Sequence, residues 1–260
     1  MSESKGLETT FNKVCIEYDK WRPNYPKELY DDIFRKIEIN QYSDVLEIGI
    51  GTGQATKPIL ETGCNLIAIE LGDHLAEFSK EKYNKYDRFS VKNMSFEDFE
   101  TTPNSFNLIY SATAFHWIPE EVGYPKVYHM LKSGGIFARF ANHPNKDNEN
   151  HHIHIALEKI YAKYMPGSKD PGEYTEENAK KIADLACKYG FDDVGYKLYH
   201  RTRSFSAEEY IRLLGTYSDH IALEERKRLK LFDEIKQTIH DNGGIITVYD
   251  TIDLALSRKP

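Results

Sequence analysis

The stretch from Asp44 to Glu70 constrains the fold more than any other part of the chain. It begins with a short apolar run, residues 44–48, which predicts a buried strand of a parallel sheet. Glycines at alternate positions come next, and they allow a sharp turn and a close approach of a ligand to the main chain. These glycines are Gly49, Gly51 and Gly53. A helix and a second strand at 66–69 are predicted to complete the unit.

The helix of this unit is expected to begin near Gly53, with Thr52 as its cap, and to end at Gly63. Glu70 stands at the carboxyl end of the second predicted strand. Ligands of doubly wound α/β sheets bind outside the carboxyl ends of the strands. A carboxylate there can accept hydrogen bonds from both hydroxyls of a ribose. The stretch therefore predicts a site for a nucleoside-containing cofactor.

Strands and helices continue to alternate as far as residue 140. Further strands are predicted at 88–92, 106–111 and 136–140, and a helix at 125–132 carries Pro125 in its first turn. Two late strands, 193–204 and 246–256, are expected to form an antiparallel closing pair at one sheet edge. The pattern predicts a Rossmann-like, seven-stranded, mostly parallel sheet with helices on both faces.

Residues 142–189 interrupt this alternation, with predicted helices at 151–164 and 176–188. The segment is too long for a simple connection, so we expect a helical cap inserted after the fifth strand. Ser206 is expected to cap a later helix at 207–214. The expected regions are a cofactor-covering segment and helix at 1–40, a cofactor-binding core at 41–141, the cap at 142–189, and strands and helices completing the sheet and substrate pocket at 190–260.

Composition restricts the partners of the chain. The net charge of −7 over 260 residues argues against a nucleic-acid backbone as the main partner. The three cysteines lie far apart, which favours free thiols in a reducing compartment. No apolar run is long enough for a signal peptide or a membrane span. We therefore expect a cytoplasmic protein that binds neither nucleic acid nor a membrane. It is expected to be a monomer or a homodimer.

Two other patterns bear on a metal ion and on a nicotinamide cofactor. Four histidines lie in or near the predicted cap, without the carboxylate or cysteine spacing that completes a metal site, so no metal is predicted. They are His143, His151, His152 and His154. A nicotinamide fingerprint needs its third glycine or alanine where Gln54 stands. An NAD-dependent oxidoreductase is therefore the second hypothesis, and a non-catalytic binding module of the same fold is the third.

An ordered set of segments points to one family. It comprises EIGIGTG at 47–53, AIE at 68–70, FNLIYS at 106–111 with AFHW at 114–117, LKSGG at 131–135, RPNYP at 22–26, and FSAEEYIRLLGTYS at 205–218. Over nearly its whole length the chain resembles the class I S-adenosylmethionine-dependent methyltransferases, and specifically their small-molecule type 11 branch. The resemblance implies direct in-line transfer of a methyl group to a small-molecule acceptor.

The resemblance also implies roles for residues along the expected cofactor site. Glu47 would receive the ammonium group of the ligand through water, and Glu70 would bind the ribose. Leu71 would cover the adenine, and Ser111 would lie near the methionine end. Tyr18 and Arg22 would close over the cofactor, with Arg22 pairing with its carboxylate. The adenine edge would be lined by Met94, Ser95 and Phe96.

The acceptor is expected beyond the fourth strand, where His116 and Trp117 follow. His116 is a candidate general base or orienting group, and the alternative is that both residues only shape the pocket. Tyr18 or Trp117 could stabilise the sulfonium through an aromatic face. Tyr217 and Ser218 either reach the pocket or pack a helix end. Some members of the type 11 branch methylate small carboxylic acids, and such an acceptor needs no general base.

Overall fold

A computed structural model describes residues 15–146, 151–167 and 172–260. Within these ranges, one sheet of seven strands has the order β3-β2-β1-β4-β5-β7-β6, which confirms the predicted α/β fold. The strands are β1 Asp44–Ile48, β2 Asn65–Glu70, β3 Phe89–Asn93, β4 Phe106–Ala112, β5 Leu131–Lys146, β6 Asp192–Ser206 and β7 Ile245–Arg258.

The first five strands are parallel, and β7 runs antiparallel to both β5 and β6. The predicted antiparallel closing pair is therefore confirmed. In the register of the central strands, Ile48 of β1 pairs with Ile69 of β2 and with Ser111 of β4. Because these parallel strands end together, the loops that leave β1, β2 and β4 lie side by side at one edge of the sheet.

Helices cover both faces of this sheet. Those in the described ranges are α1 Cys15–Trp21, α2 Lys27–Lys36, α3 Thr56–Leu60, α4 Asp73–Lys82, α5 Glu120–Met130, α6 His151–Tyr164, α7 Glu176–Asp184, α8 Ala207–Leu214, α9 Ser218–Ile221 and α10 Glu225–Asp241. None of them is both long and apolar enough to cross a membrane.

Two apolar clusters follow from the alternation of side chains along the strands. Val45 packs in one cluster with Leu29 and Ile33 of α2, whereas Leu46 packs in the other with Val127 of α5. Consecutive residues of a strand point to opposite faces, so β1 contributes to both. All five side chains are fully buried. The sheet is thus a buried middle layer that fixes the position of the loops at its carboxyl edge.

Two described parts of the predicted cap at 142–189 pack in different apolar clusters. Leu157 of α6 packs in a third cluster with Leu213 of α8 and Leu231 of α10. Ala186, in the 3-10 helix after α7, instead joins the sheet-face cluster that contains Phe137. Periodicity gives a helix an apolar face but does not say which partner covers it. The third cluster therefore combines α6 with α8 and α10, which come from the region expected to complete the sheet.

Three local predictions about helix ends meet different outcomes. The capping box of α8 is present, with Ser206 accepting from the Glu209 amide, as predicted. The helix after the glycine turn begins at Thr56 rather than near Gly53, because Gly53 has a φ of +84°, outside the helical region. The Thr52 hydroxyl accepts from the Gln54 side chain at 2.6 Å instead of capping a helix. Pro125 lies inside α5 rather than in its first turn, since the helix begins earlier, at Glu120.

Candidate functional site

A cleft of about 1270 Å³, counting its open mouth, lies where the loops leaving β1, β2 and β4 meet. This is the edge at which ligands of open α/β sheets bind. Most of the predicted site residues line it. Those residues are Tyr18, Arg22, Gly49, Gly51, Glu70, Leu71, Met94, Ser95, Phe96, Trp117 and Tyr217.

The glycine turn forms the floor of the cleft. Gly49 and Gly51 have φ of +74° and +58°, which L side chains rarely adopt. Both residues line the cleft, whereas Gly53 does not. A Cβ at Gly53 would lie 2.4 Å from the ring of Tyr83, whose hydroxyl donates to the Gly53 carbonyl at 2.7 Å. Gly53 therefore allows α4 to pack closely, while the first two glycines leave bare main chain toward the cleft.

Glu70 ties the end of β2 to the glycine turn. One carboxylate oxygen accepts from the amide of Gly51 at 2.8 Å, and the other accepts from the amide of Gly72 at 2.9 Å. The side chain is buried, and this burial raises its pKa above the ordinary range of a glutamate. The carboxylate keeps lone pairs beyond these amide contacts, so it can accept further hydrogen bonds at the cleft.

Arg22 is fixed at the other side of the cleft. Its Nε donates to the Thr216 hydroxyl at 3.0 Å, and Nη2 donates to the Thr216 carbonyl at 2.9 Å. The guanidinium also stacks on Tyr217, 4.1 Å from the ring centroid, and lies 4.9 Å from that of Tyr18. Its Nη1 makes no hydrogen bond to the described part of the chain and can donate to an anion. Tyr18 and Tyr217 therefore help to fix the position of the Arg22 side chain.

Four other predicted site residues lie outside the cleft lining. Ser111 is fully buried and donates to the Ile48 carbonyl of β1 at 2.9 Å. Its hydroxyl, expected near the methionine end of the cofactor, is therefore used in a hydrogen bond within the sheet. The side chain of His116 is exposed outside the cleft lining. Partial desolvation by neighbouring protein atoms and the positive charge of Arg139 lower its pKa to about 4, so the imidazole is neutral and weakly basic. Ser218 begins α9 instead of facing the cleft.

Glu47 is the fourth of these residues. It is buried beneath the glycine turn, where one carboxylate oxygen accepts from Tyr110 at 2.7 Å and from Thr56 at 2.8 Å. The other oxygen, Oε1, has no hydrogen-bond partner in the described residues. Burial raises the pKa of Glu47 to about 8. The carboxyl group is therefore protonated at neutral pH, and any contact with an ammonium group would require it to ionise.

This raised pKa predicts how stability changes with pH. Between about 4.5 and 8 the unfolded chain ionises residue 47 while the folded protein keeps its proton, so the contribution of Glu47 to stability falls as pH rises. From pH 6 to 7, the free energy of unfolding should fall by about 1.4 kcal/mol more in wild type than in Glu47→Gln. Urea unfolding at both pH values measures this difference. Exposed Glu61→Gln is the control, and equal slopes for wild type and Glu47→Gln would contradict the prediction.

Several cleft residues were missed by the sequence analysis. Tyr25 and Thr113 line the cleft, and their hydroxyl oxygens are 2.6 Å apart. Asn142 also lines it, and its side chain lies between Arg201 and the buried carboxylate of Asp250. Tyr25 stands within the RPNYP segment, and Thr113 directly follows β4 at the carboxyl edge of the sheet. The sequence therefore marks both segments as parts of the expected site. Only the fold brings them together.

The histidines considered for a metal ion make other contacts. His143 contacts Asp253 at 2.8 Å, and His154 contacts the Thr247 carbonyl at 3.1 Å. His152 is exposed, and the side chain of His151 lies outside the described residues. In the described ranges, no group of three His, Cys, Asp or Glu side chains is arranged to hold a metal.

Fold and site together describe an α/β protein whose cleft lies between a glycine turn and a strand-end carboxylate, at the sheet edge where such folds bind nucleoside cofactors. A family model described as a methyltransferase domain matches residues 45–135. An uncharacterized methyltransferase of Schizosaccharomyces pombe is 25% identical over 236 residues, 88% of each chain. An uncharacterized methyltransferase of Bacillus mycoides is 32% identical over 148 residues, covering 50% of this chain and 67% of that protein.

Solved structures agree on the fold. Haemonchus contortus phosphoethanolamine N-methyltransferase 2, bound to S-adenosyl-L-methionine, matches with a TM-score of 0.58 at 15% identity, over 100% of this chain and 60% of that chain. The chain belongs to the class I S-adenosylmethionine-dependent methyltransferases, and S-adenosylmethionine is its cofactor. The narrower type 11 assignment stays a prediction. The site fits this cofactor, because bare main chain at Gly51 faces the cleft and Glu70 retains lone pairs for a ribose.

Proposed function

We propose that this methyltransferase acts on a small-molecule acceptor held in the same cleft as the cofactor. One observation carries the proposal: a continuous cleft runs from Glu70 and the glycine turn to Trp117, Asn142 and Tyr217. Its lining is largely apolar and aromatic, as in sites for small ligands. A net charge of −7 also disfavours a nucleic-acid acceptor.

We assign the cofactor to the Glu70 side of the cleft. Glu70 would accept the ribose hydroxyls, and Leu71 with Met94, Ser95 and Phe96 would surround the adenine. Gly49 and Gly51 would support the methionine part, with Arg22 pairing with its carboxylate. Tyr18 and Tyr217 lie against the Arg22 guanidinium and hold it in place. Glu47 lies beneath the turn, where ionising it could balance the ammonium group.

When bound, S-adenosylmethionine supplies an electrophilic methyl group on a sulfonium. The work of this chain is then to align the acceptor in line with that group and to exclude water. Trp117 would contribute an aromatic face near the positive charge. His116 has a pKa lowered to about 4 and lies off the cleft, so it is a poor base for a protonated acceptor. We infer an acceptor that is already reactive at neutral pH, such as a carboxylate or another unprotonated nucleophile.

Transfer of a labelled methyl group tests this function. The intact protein is incubated with S-adenosylmethionine labelled in its methyl group and with panels of small carboxylates, phenols and amines, and mass spectrometry identifies the product. Transfer to a small molecule is the expected result. Binding of S-adenosylhomocysteine with transfer only to protein or nucleic acid would overturn the proposal. Cofactor binding with no transfer to any acceptor would favour a non-catalytic module.

The Arg22 assignment predicts a selective loss of affinity. Arg22→Ala should weaken S-adenosylhomocysteine binding about 10-fold, the size of one charge-assisted hydrogen bond. Binding of 5′-methylthioadenosine, which lacks the amino-acid carboxylate, should change much less. Calorimetry with both ligands measures the difference, and Arg212→Ala, at an exposed arginine 3.4 Å from Glu17, is the control. Equal losses for the two ligands would show that Arg22 only holds the N-terminal segment in place.

A further inference from the structure

Thr113 has an unusual backbone for its residue type. It directly follows β4 and has a φ of +53°, a left-handed conformation that is strained for a β-branched residue. Its amide donates to the Phe140 carbonyl at 2.8 Å, and its hydroxyl accepts from the Asn142 amide at 3.2 Å. Strain of this kind persists where neighbouring contacts impose it, and it is concentrated at ligand sites.

Tyr25 meets Thr113 across the cleft wall. The two hydroxyl oxygens are 2.6 Å apart, and the Tyr25 ring packs edge-on against Phe140 with centroids 4.7 Å apart. Burial raises the pKa of Tyr25 above its ordinary value, so the phenol keeps its proton. We call these two groups the hydroxyl pair.

The two hydroxyl groups of the pair carry two hydrogens, and their contacts within the described residues use only one of them. Each hydroxyl donates once, and a single hydrogen bond joins the two oxygens. The Asn142 amide is a donor, so it occupies a lone pair of Thr113 and no hydroxyl hydrogen. Neither oxygen has another partner among the described residues. Whichever hydroxyl donates within the pair, the other retains an O–H that can donate to a ligand.

The position of the pair places this O–H at the acceptor end. Both residues line the cleft, and Ala114, next to Thr113, lies beside the glycine turn, where a Cβ at Gly49 would be 2.4 Å from its Cβ. Nearby lining residues Trp117 and Ile118 are uncharged and can contact a flat apolar body. The hydroxyl pair is therefore a polar group that the cleft offers close to the turn assigned to the methionine part.

We propose that the hydroxyl pair is a positioning site that donates one hydrogen bond to an oxygen lone pair of the methyl acceptor. This inference rests on the proposed function and narrows it to acceptors that carry such an oxygen next to an apolar body. Tyr25 and Thr113 act by orienting the acceptor and take no proton from it.

Two probes of matched shape test the donated hydrogen bond. Acetophenone carries a carbonyl oxygen, and 2-phenylpropene replaces it with a CH₂ group. Affinities are measured by ligand-observed NMR on protein saturated with S-adenosylhomocysteine, whose own affinity is measured first for each variant. We expect acetophenone to bind about 10-fold more tightly than 2-phenylpropene, as a hydrogen bond to a partly buried donor predicts.

The variants follow from the count of hydroxyl hydrogens. Tyr25→Phe and Tyr25→Phe/Thr113→Ser each keep one hydroxyl, so both should retain the preference. Tyr25→Phe/Thr113→Val has none and should lose it. Tyr25→Phe/Thr113→Gly also has none, and its glycine suits the left-handed φ, so it serves if the valine variant does not fold.

The outcomes separate this inference from the proposed function. Failure to bind S-adenosylhomocysteine would count against the proposed function itself. Normal S-adenosylhomocysteine binding with equal affinity for the two probes, or with binding of neither, would overturn only the role of the hydroxyl pair. Retention of the preference in both hydroxyl-free variants would overturn it as well.

Discussion

Replacing Glu70 with glutamine is expected to weaken S-adenosylhomocysteine binding by on the order of 100-fold, because hydrogen bonds to a charged group each contribute roughly 1.5–3 kcal/mol. The carboxylate accepts from the amides of Gly51 and Gly72 with separate oxygens. A glutamine has one oxygen, so its amino group would face one of these donors. The turn would shift, and one acceptor for the ribose would be lost.

Glu97→Gln is the matched control for Glu70→Gln. Glu97 also lines the cleft, but its side chain is exposed at the rim. Calorimetry with S-adenosylhomocysteine should show a change of less than about threefold for this variant, as for most exposed surface positions. Thermal unfolding establishes that both variants are folded. A folded Glu70→Gln protein that binds within threefold of wild type would remove Glu70 from the ribose assignment.

The predictions that succeeded rest on spacing within short segments. The apolar run of β1, the glycines and Glu70 lie within one local unit, so their order alone predicts a strand, a turn and a strand-end carboxylate. The same holds for the Ser206 capping box, whose partner Glu209 is three residues away. Local geometry of this kind varies little between proteins, which is why it can be predicted from sequence.

The residues that were missed depend on distant contacts. Tyr25 and Thr113 are 88 positions apart, and Arg22 and Thr216 are 194 apart. Sequence placed Ser111 correctly at the end of β4, but it did not show which way the side chain points. The positive φ of Thr113 redirects the chain just beyond the strand, so the cleft receives Thr113 while Ser111 stays buried. No periodicity predicts a left-handed β-branched residue.

Replacing Gly49 with alanine is expected to lower the free energy of unfolding by about 2–4 kcal/mol, the combined cost of a left-handed L-residue and an overpacked contact. A Cβ at this position would lie 2.4 Å from the Cβ of Ala114. At Gly51 the nearest atom would be Cε1 of Tyr18 at 3.8 Å, an ordinary contact. Gly51→Ala should therefore cost only about 1–2 kcal/mol, from its φ alone.

A double variant separates the two costs at Gly49. Ala114→Gly removes the atom that the new Cβ would meet. The double variant Gly49→Ala/Ala114→Gly should therefore recover the stability lost to overpacking but still lose the stability that the positive φ costs. Urea unfolding of the three single variants and the double gives the coupling between residues 49 and 114. Additive costs, or a Gly49→Ala variant no less stable than Gly51→Ala, would show that the loop after β4 moves away without penalty. Recovery of stability would instead show that the close approach of the loops after β1 and β4 holds the turn in place.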